Sequence, residues 1–116
     1  MWSTSALLFV ALMSGTPHRA AAPTSCPVAS GGVRMTGGDV YDGPVEENAI
    51  LVPDSARTMR GTEVSTWDVR TTYAAGRQIY LSCEYASRPK VTIRVSRAVR
   101  TCRYSDGRPA KALACR

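Results

Sequence analysis

The sequence predicts a mostly β fold: a small antiparallel sheet, or a partial barrel or sandwich, stabilised by two disulfides, with little helix outside an N-terminal leader. Three observations predict it. Residues 78–97 carry two consecutive runs in which apolar and polar side chains alternate, the period-two repeat of a strand with one buried face. Four cysteines, Cys26, Cys83, Cys102 and Cys115, are spread over the region after the leader. No segment in that region has the 3.6-residue apolar repeat of a surface helix.

The chain has 116 residues, enough for one domain. Its longest apolar run, Ala6 to Met13, is eight residues, too short for a membrane span of about 20 and suited to the apolar centre of a secretory signal. Small residues and turn formers follow, through Ala20-Ala21-Ala22. Residues 1–22 are therefore expected to be a signal peptide, cleaved between residues 20 and 25, leaving residues 23–116 as a single disulfide-bonded β domain. Localisation follows as periplasmic or secreted, with no transmembrane span in the mature chain. Cys26 lacks a Leu-type lipobox before it, which argues against a lipoprotein.

Along the domain, residues 27–45 are rich in Gly, Pro, Ser and Thr, with turn signals at Gly31-Gly32, Gly37-Gly38 and Asp42-Gly43-Pro44. The expectation there is irregular structure with one short strand at 33–36. Residues 48–53 suggest a short strand stopped by Pro53, and residues 62–70, rich in β-formers, a longer one. In the patterned region Ile79, Leu81, Cys83 and Tyr85 alternate with Tyr80, Ser82 and Glu84; after Ser87-Arg88-Pro89, Val91, Ile93 and Val95 alternate with Lys90, Thr92 and Arg94. A hairpin pairing Tyr85 with Val91, Cys83 with Ile93 and Leu81 with Val95 puts every apolar residue on one face. Residues 99–104 and 112–116 supply two further strands.

An even cysteine count in a small exported domain reads as two disulfides, and four cysteines allow three connectivities. A hairpin pairing Tyr104 with Leu113 brings Cys102 opposite Cys115, which leaves Cys26 for Cys83; this is the preferred pattern. Its rival joins Cys83 to Cys102 and Cys26 to Cys115. No Cys-x-x-Cys occurs, which argues against a zinc knuckle or a thioredoxin-like pair.

Three stretches carry a resemblance: Tyr41-Asp42-Gly43-Pro44-Val45-Glu46-Glu47 running on to Leu51-Val52-Pro53-Asp54, then Thr66-Trp67, then Tyr80-Leu81-Ser82-Cys83-Glu84-Tyr85. With Cys26-Pro27, Cys102-Arg103-Tyr104 and Cys115-Arg116, the chain resembles a family of small exported bacterial proteins with a signal peptide and four cysteines. The resemblance covers nearly the whole mature chain and implies export. It implies no catalytic or binding residue, and the segment between Cys102 and Cys115 is shorter than the family pattern.

Chemistry is bounded mainly by what is missing. His18 is the single histidine and lies in the expected leader, so the mature domain lacks Ser-His-Asp and Cys-His catalysis, histidine bases and His-containing metal sites. The acidic set Asp39, Asp42, Glu46, Glu47 and Asp54 lacks EF-hand spacing and reads as a solvated loop. Trp67, Tyr80 and Tyr104 read as core anchors before a sugar platform. No cofactor and no metal is expected.

Charge is uneven: residues 23–68 hold three basic and seven acidic side chains, residues 69–116 eleven and two. The basic series Lys90, Arg94, Arg97, Arg100 and Arg103 suggests a surface for an anionic envelope polymer or an envelope protein, with nucleic acid an unlikely partner for an exported domain. The functional expectation is a non-catalytic envelope or secreted binding module. The alternatives are a small hydrolase using two carboxylates among Glu46, Glu47, Glu63 and Glu84, or an inhibitor or structural protein docking a partner through edge strands.

Overall fold

The computed structural model describes residues 24–108 and 110–116; the expected leader lies outside them. The elements, in order, are β1 (Ala29–Ser30), β2 (Val33–Asp42), a 3-10 turn (Val45–Glu47), β3 (Ser55–Met59), β4 (Thr62–Asp68), the short helix α1 (Arg70–Ala74), β5 (Ile79–Tyr85), β6 (Val91–Arg94), β7 (Thr101–Ser105) and β8 (Ala112–Cys115). They form two four-stranded sheets, β1-β2-β5-β6 and β3-β4-β7-β8, and every pairing is antiparallel. The mostly β, two-disulfide reading is borne out.

The first sheet is organised around β5. Its alternation becomes one fully buried face, with Ile79, Leu81 and Cys83 all at 0 % exposure. Burying side chains of this size stabilises by about 1.5–3 kcal/mol each. The observed register pairs Cys83 with Val91 and Leu81 with Ile93, two residues away from the expected one. A two-residue shift keeps every side chain on its expected face. At the hairpin end the Arg88 N–H donates to the Tyr85 carbonyl, so the chain turns within residues 85–88, and Pro89, opposite Tyr85 in this register, has no N–H to extend the ladder. On its other side Tyr85 pairs with Met35, and its hydroxyl donates to the Pro27 carbonyl. Glu84 now faces Lys90, at 3.2 Å.

The expectation of an irregular 27–45 segment is corrected: β2 runs ten residues, Val33–Asp42, and pairs along β5. Its glycines concealed it, because they weaken strand propensity. They are there for packing. The register shifts between Met35 and Gly37, a bulge that absorbs one residue. A Cβ on Gly38 would lie 2.8 Å from Leu113 Cδ2 and 3.2 Å from the Ser82 carbonyl. Gly38 is thus a point where the two sheets approach closely through a missing side chain.

In the second sheet β4 is central, paired with β3 and β7. Trp67, Cys102 and Cys115 are in register across β4, β7 and β8, as are Ser65, Tyr104 and Leu113. This face joins Val40, Leu81 and Cys83 of the first sheet in one buried cluster. Thr101 and Arg116 exchange both backbone hydrogen bonds, so Cys102 and Cys115 form the adjacent non-hydrogen-bonded pair, the closer kind. Their Cα atoms are 4.0 Å apart and the disulfide Cys102–Cys115 closes the hairpin.

The outer edge of β8 is occupied. Cys115 N–H donates to the Thr24 carbonyl and Cys26 N–H to the Leu113 carbonyl, with a bridge between Ser25 and Ala114. Residues 24–26 therefore act as a short fifth strand of the second sheet. Cys26 then reaches across the core to Cys83 on β5, so this disulfide joins one sheet to the other. Both expected disulfides are present and no free cysteine is found among the described residues.

The expected strand over 48–53 reduces to a single bridge, Tyr41 with Ile50. Asn48 adopts φ 56°, and Pro53 cannot donate, so the segment crosses from one sheet to the other as a loop. Expected strands over 62–70, 99–104 and 112–116 appear as β4, β7 and β8.

Candidate functional site

The outward face of the β3-β4-β7-β8 sheet follows from the alternation that builds the core. With Trp67 and Ser65 pointing inward, Val64 and Thr66 point outward on β4; their neighbours in register are Arg57 and Ser55 on β3 and Ser105 and Arg103 on β7, and Arg103 pairs in turn with Ala114 on β8. All of these but Ser105 line a groove of about 460 Å³, to which Met59, Thr101 and Arg116 also contribute. Val64 is only 6 % exposed and yet is no member of the core cluster; it is the apolar floor of the groove. Met59, 52 % exposed, stands beside it.

The rim is cationic. Arg57, directly opposite Val64, and Arg103, directly opposite Thr66, flank the floor from the strands on either side. No acidic side chain lines the groove. Among the described residues neither guanidinium has a hydrogen-bond or ion-pair partner. Several other cations are ion-paired: Arg70 with Asp68 at 2.6 Å, Arg77 with Asp42 at 2.8 Å and Glu47 at 2.5 Å, Lys111 with Asp106 at 2.9 Å. The hydrogen bonds from Arg70 lower the Asp68 pKa to about 2. On the outward face of the first sheet, burial, and then the nearby charge of Glu84, raise the pKa of Asp39, with Lys90 opposing.

The basic residues singled out from the sequence are distributed over both sheets. Lys90 pairs with Glu84, and Arg94, on β6, donates from Nε to Gln78 Oε1 at 2.6 Å. Arg97 and Arg100 lie exposed in the connection from β6 to β7, where the Arg100 N–H is tied to the Arg116 carbonyl. Arg103 alone of the five lines the groove. Arg57, Met59, Val64 and Thr66 escaped the sequence reading. Their signal was the alternation of Ser55, Arg57 and Met59 with small residues on β3, which is too polar to stand out as a strand.

The other candidate residues have structural work. Asp42 and Glu47 both hold Arg77, and Gly43 supplies φ 90° at the turn between them, so the Tyr41–Glu47 motif is a clamp on the loop before β5. Trp67 donates from Nε1 to the Leu51 carbonyl at 3.0 Å, and the Asp68 N–H donates to Asp54 Oδ2 at 2.5 Å; the Leu51–Asp54 stretch is thus pinned to β4. This leaves Ile50 and Val52 displayed, 54 % and 81 % exposed. Tyr80 lies on the opposite face of β5 from the core, whereas Trp67 and Tyr104 face it, so the three rings form no shared platform. Among the described residues no group of three or more His, Cys, Asp or Glu side chains is placed to hold a metal ion.

Residues 30–116 match the family model of the Type VI secretion system Tli immunity protein. No curated protein and no solved structure gives a significant match.

Proposed function

The chain belongs to the Type VI secretion system Tli immunity protein family, and from that membership we propose that it is a non-catalytic immunity protein of the periplasm, which binds and neutralises an effector delivered by a type VI apparatus. The match over residues 30–116 carries this reading. It extends the sequence-based expectation of a non-catalytic binding module and selects the inhibitor among its alternatives.

Physical features support it. Residues 24–116 contain no histidine, and of the four carboxylates of the hydrolase alternative Glu47 and Glu84 are engaged in ion pairs. Two disulfides suit an oxidising compartment, and the expected leader over residues 1–22 is the route there. A rigid sandwich whose surface is fixed before contact loses little conformational entropy on binding, which favours a tight inhibitor.

Deletion of the gene is expected to make cells sensitive to kin that carry an active type VI apparatus, and expression of the full chain to restore survival. Fractionation is expected to place the protein in the periplasm with an N-terminus between residues 20 and 25. Deletion cells that survive confrontation as well as the parent overturn the immunity reading; an intact Met1 in the cytoplasm overturns the export reading.

A further inference from the structure

Building on the immunity reading, we propose that the groove on the outward face of the β3-β4-β7-β8 sheet is the effector-docking site, and that its occupant is an acidic segment of the effector carrying two carboxylates on either side of an apolar side chain.

The chemistry of the groove sets the chemistry of its occupant. Arg57 and Arg103 sit on strands separated by β4 and are offset by two residues, one level with Val64 and the other with Thr66, hence about 12 Å apart at the backbone. Among the described residues each offers a guanidinium without an acidic partner, and guanidinium binds carboxylate through two parallel hydrogen bonds. Between them lie Val64 and Thr66, with Met59 half exposed beside them, which is an apolar seat for one side chain. In an extended segment carboxylates four residues apart share a face and lie about 13 Å apart, with the apolar side chain on the same face midway between them. The groove volume of about 460 Å³ accommodates such a segment, comparable to the clefts that hold small ligands.

Contrast within the molecule strengthens the case. The first sheet also presents cations outward, but Lys90 is neutralised by Glu84 and Arg94 is bonded to Gln78. An anion arriving there must displace an internal partner. At the groove no partner among the described residues stands in the way, which favours the second sheet. Positive charge left uncompensated on a concave face also accelerates encounter with an acidic partner. Uncompensated arginines are common on solvated strands; the groove differs in bringing two of them to either side of a buried apolar floor.

The test combines protection with direct binding. Sensitive cells receive the full chain as wild type, R57E/R103E, R57Q/R103Q, R57K/R103K or K90E/R94E and face kin attackers. Wild type, R57K/R103K and K90E/R94E are expected to protect. R57E/R103E is expected to lose protection while its periplasmic level and its mobility on a non-reducing gel match wild type. R57Q/R103Q, which removes the charge without reversing it, is the measured variant if the reversed one does not accumulate. Failure of wild type to protect overturns the immunity reading and the inference with it. Protection by the charge-removed variants equal to wild type overturns the inference alone. The purified protein is then titrated with the effector whose deletion from the attacker abolishes killing. Charge reversal is expected to weaken binding by about a hundredfold, and wild-type affinity to fall with salt. Salt-independent binding overturns the acidic assignment. So does capture of wild type, but not R57E/R103E, by phosphatidylglycerol vesicles when both bind the effector equally.

Discussion

Removing the Cys26–Cys83 disulfide is expected to cost more than removing Cys102–Cys115, and the difference is worked from chain separation and position. The two bridges close loops with sequence separations of 57 and 13 residues. In the chain-entropy treatment these correspond to about 4 and about 3 kcal/mol at room temperature. The loops do not overlap, so their contributions add to about 7 kcal/mol, against a total stability of about 5–14 kcal/mol for a domain this size. Geometry widens the gap. Cys102 and Cys115 remain opposite one another in the β7–β8 ladder without their bond, whereas Cys26–Cys83 is the covalent link between the sheets. Urea unfolding of C26A/C83A and C102A/C115A, followed through the buried Trp67, measures both. The reasoning fails if C102A/C115A is the less stable of the two, or if C26A/C83A costs under about 1 kcal/mol.

Three further outcomes are expected. Gly38→Ala places a Cβ against Leu113 and is expected to destabilise by about 1–3 kcal/mol, with a less-than-additive effect when combined with Leu113→Val; equal stability of Gly38→Ala and wild type in urea contradicts the close-approach reading. Trp67→Phe keeps an aromatic ring but loses the bond to the Leu51 carbonyl and part of the buried indole, costing about 2 kcal/mol and speeding proteolysis within residues 48–54; an unchanged cleavage rate shows that the loop is held otherwise. Asp39 has a pKa raised by burial and by Glu84, so its charged form opposes folding above that pKa and protonation relieves the opposition as pH falls through it; Asp39→Asn is therefore expected to raise Tm at neutral pH, with the gain shrinking in acid, and a pH-independent difference refutes the electrostatic cause.

The strands that bury a regular face were legible from sequence, because period-two alternation reports directly on one-sided burial: β5, β6 and the Cys102–Cys115 hairpin are the examples. The faces of the β5–β6 hairpin were legible but its register was not, since a shift of two residues leaves the face pattern unchanged. β2 was hidden because its glycines weaken the strand signal, and Gly38 answers to Leu113 on the other sheet, a partner 75 positions away in the sequence. The groove was legible only in Arg103. Its other wall comes from β3, whose residues gain meaning only when the register with β4 sets Arg57 against Val64.

The connectivity has a consequence for how the protein matures. Cys26 is joined to the next cysteine along the chain, Cys83, and Cys102 to the next, Cys115. In an exported chain emerging N-terminus first, an oxidant that couples thiols in their order of appearance produces the native pattern directly. Cys83 emerges while Cys26 is the single unpaired thiol outside, and Cys102 then waits only 13 residues for its partner. Disulfide shuffling, which takes seconds to hours, is not needed, so a simple dithiol oxidase suffices without an isomerase.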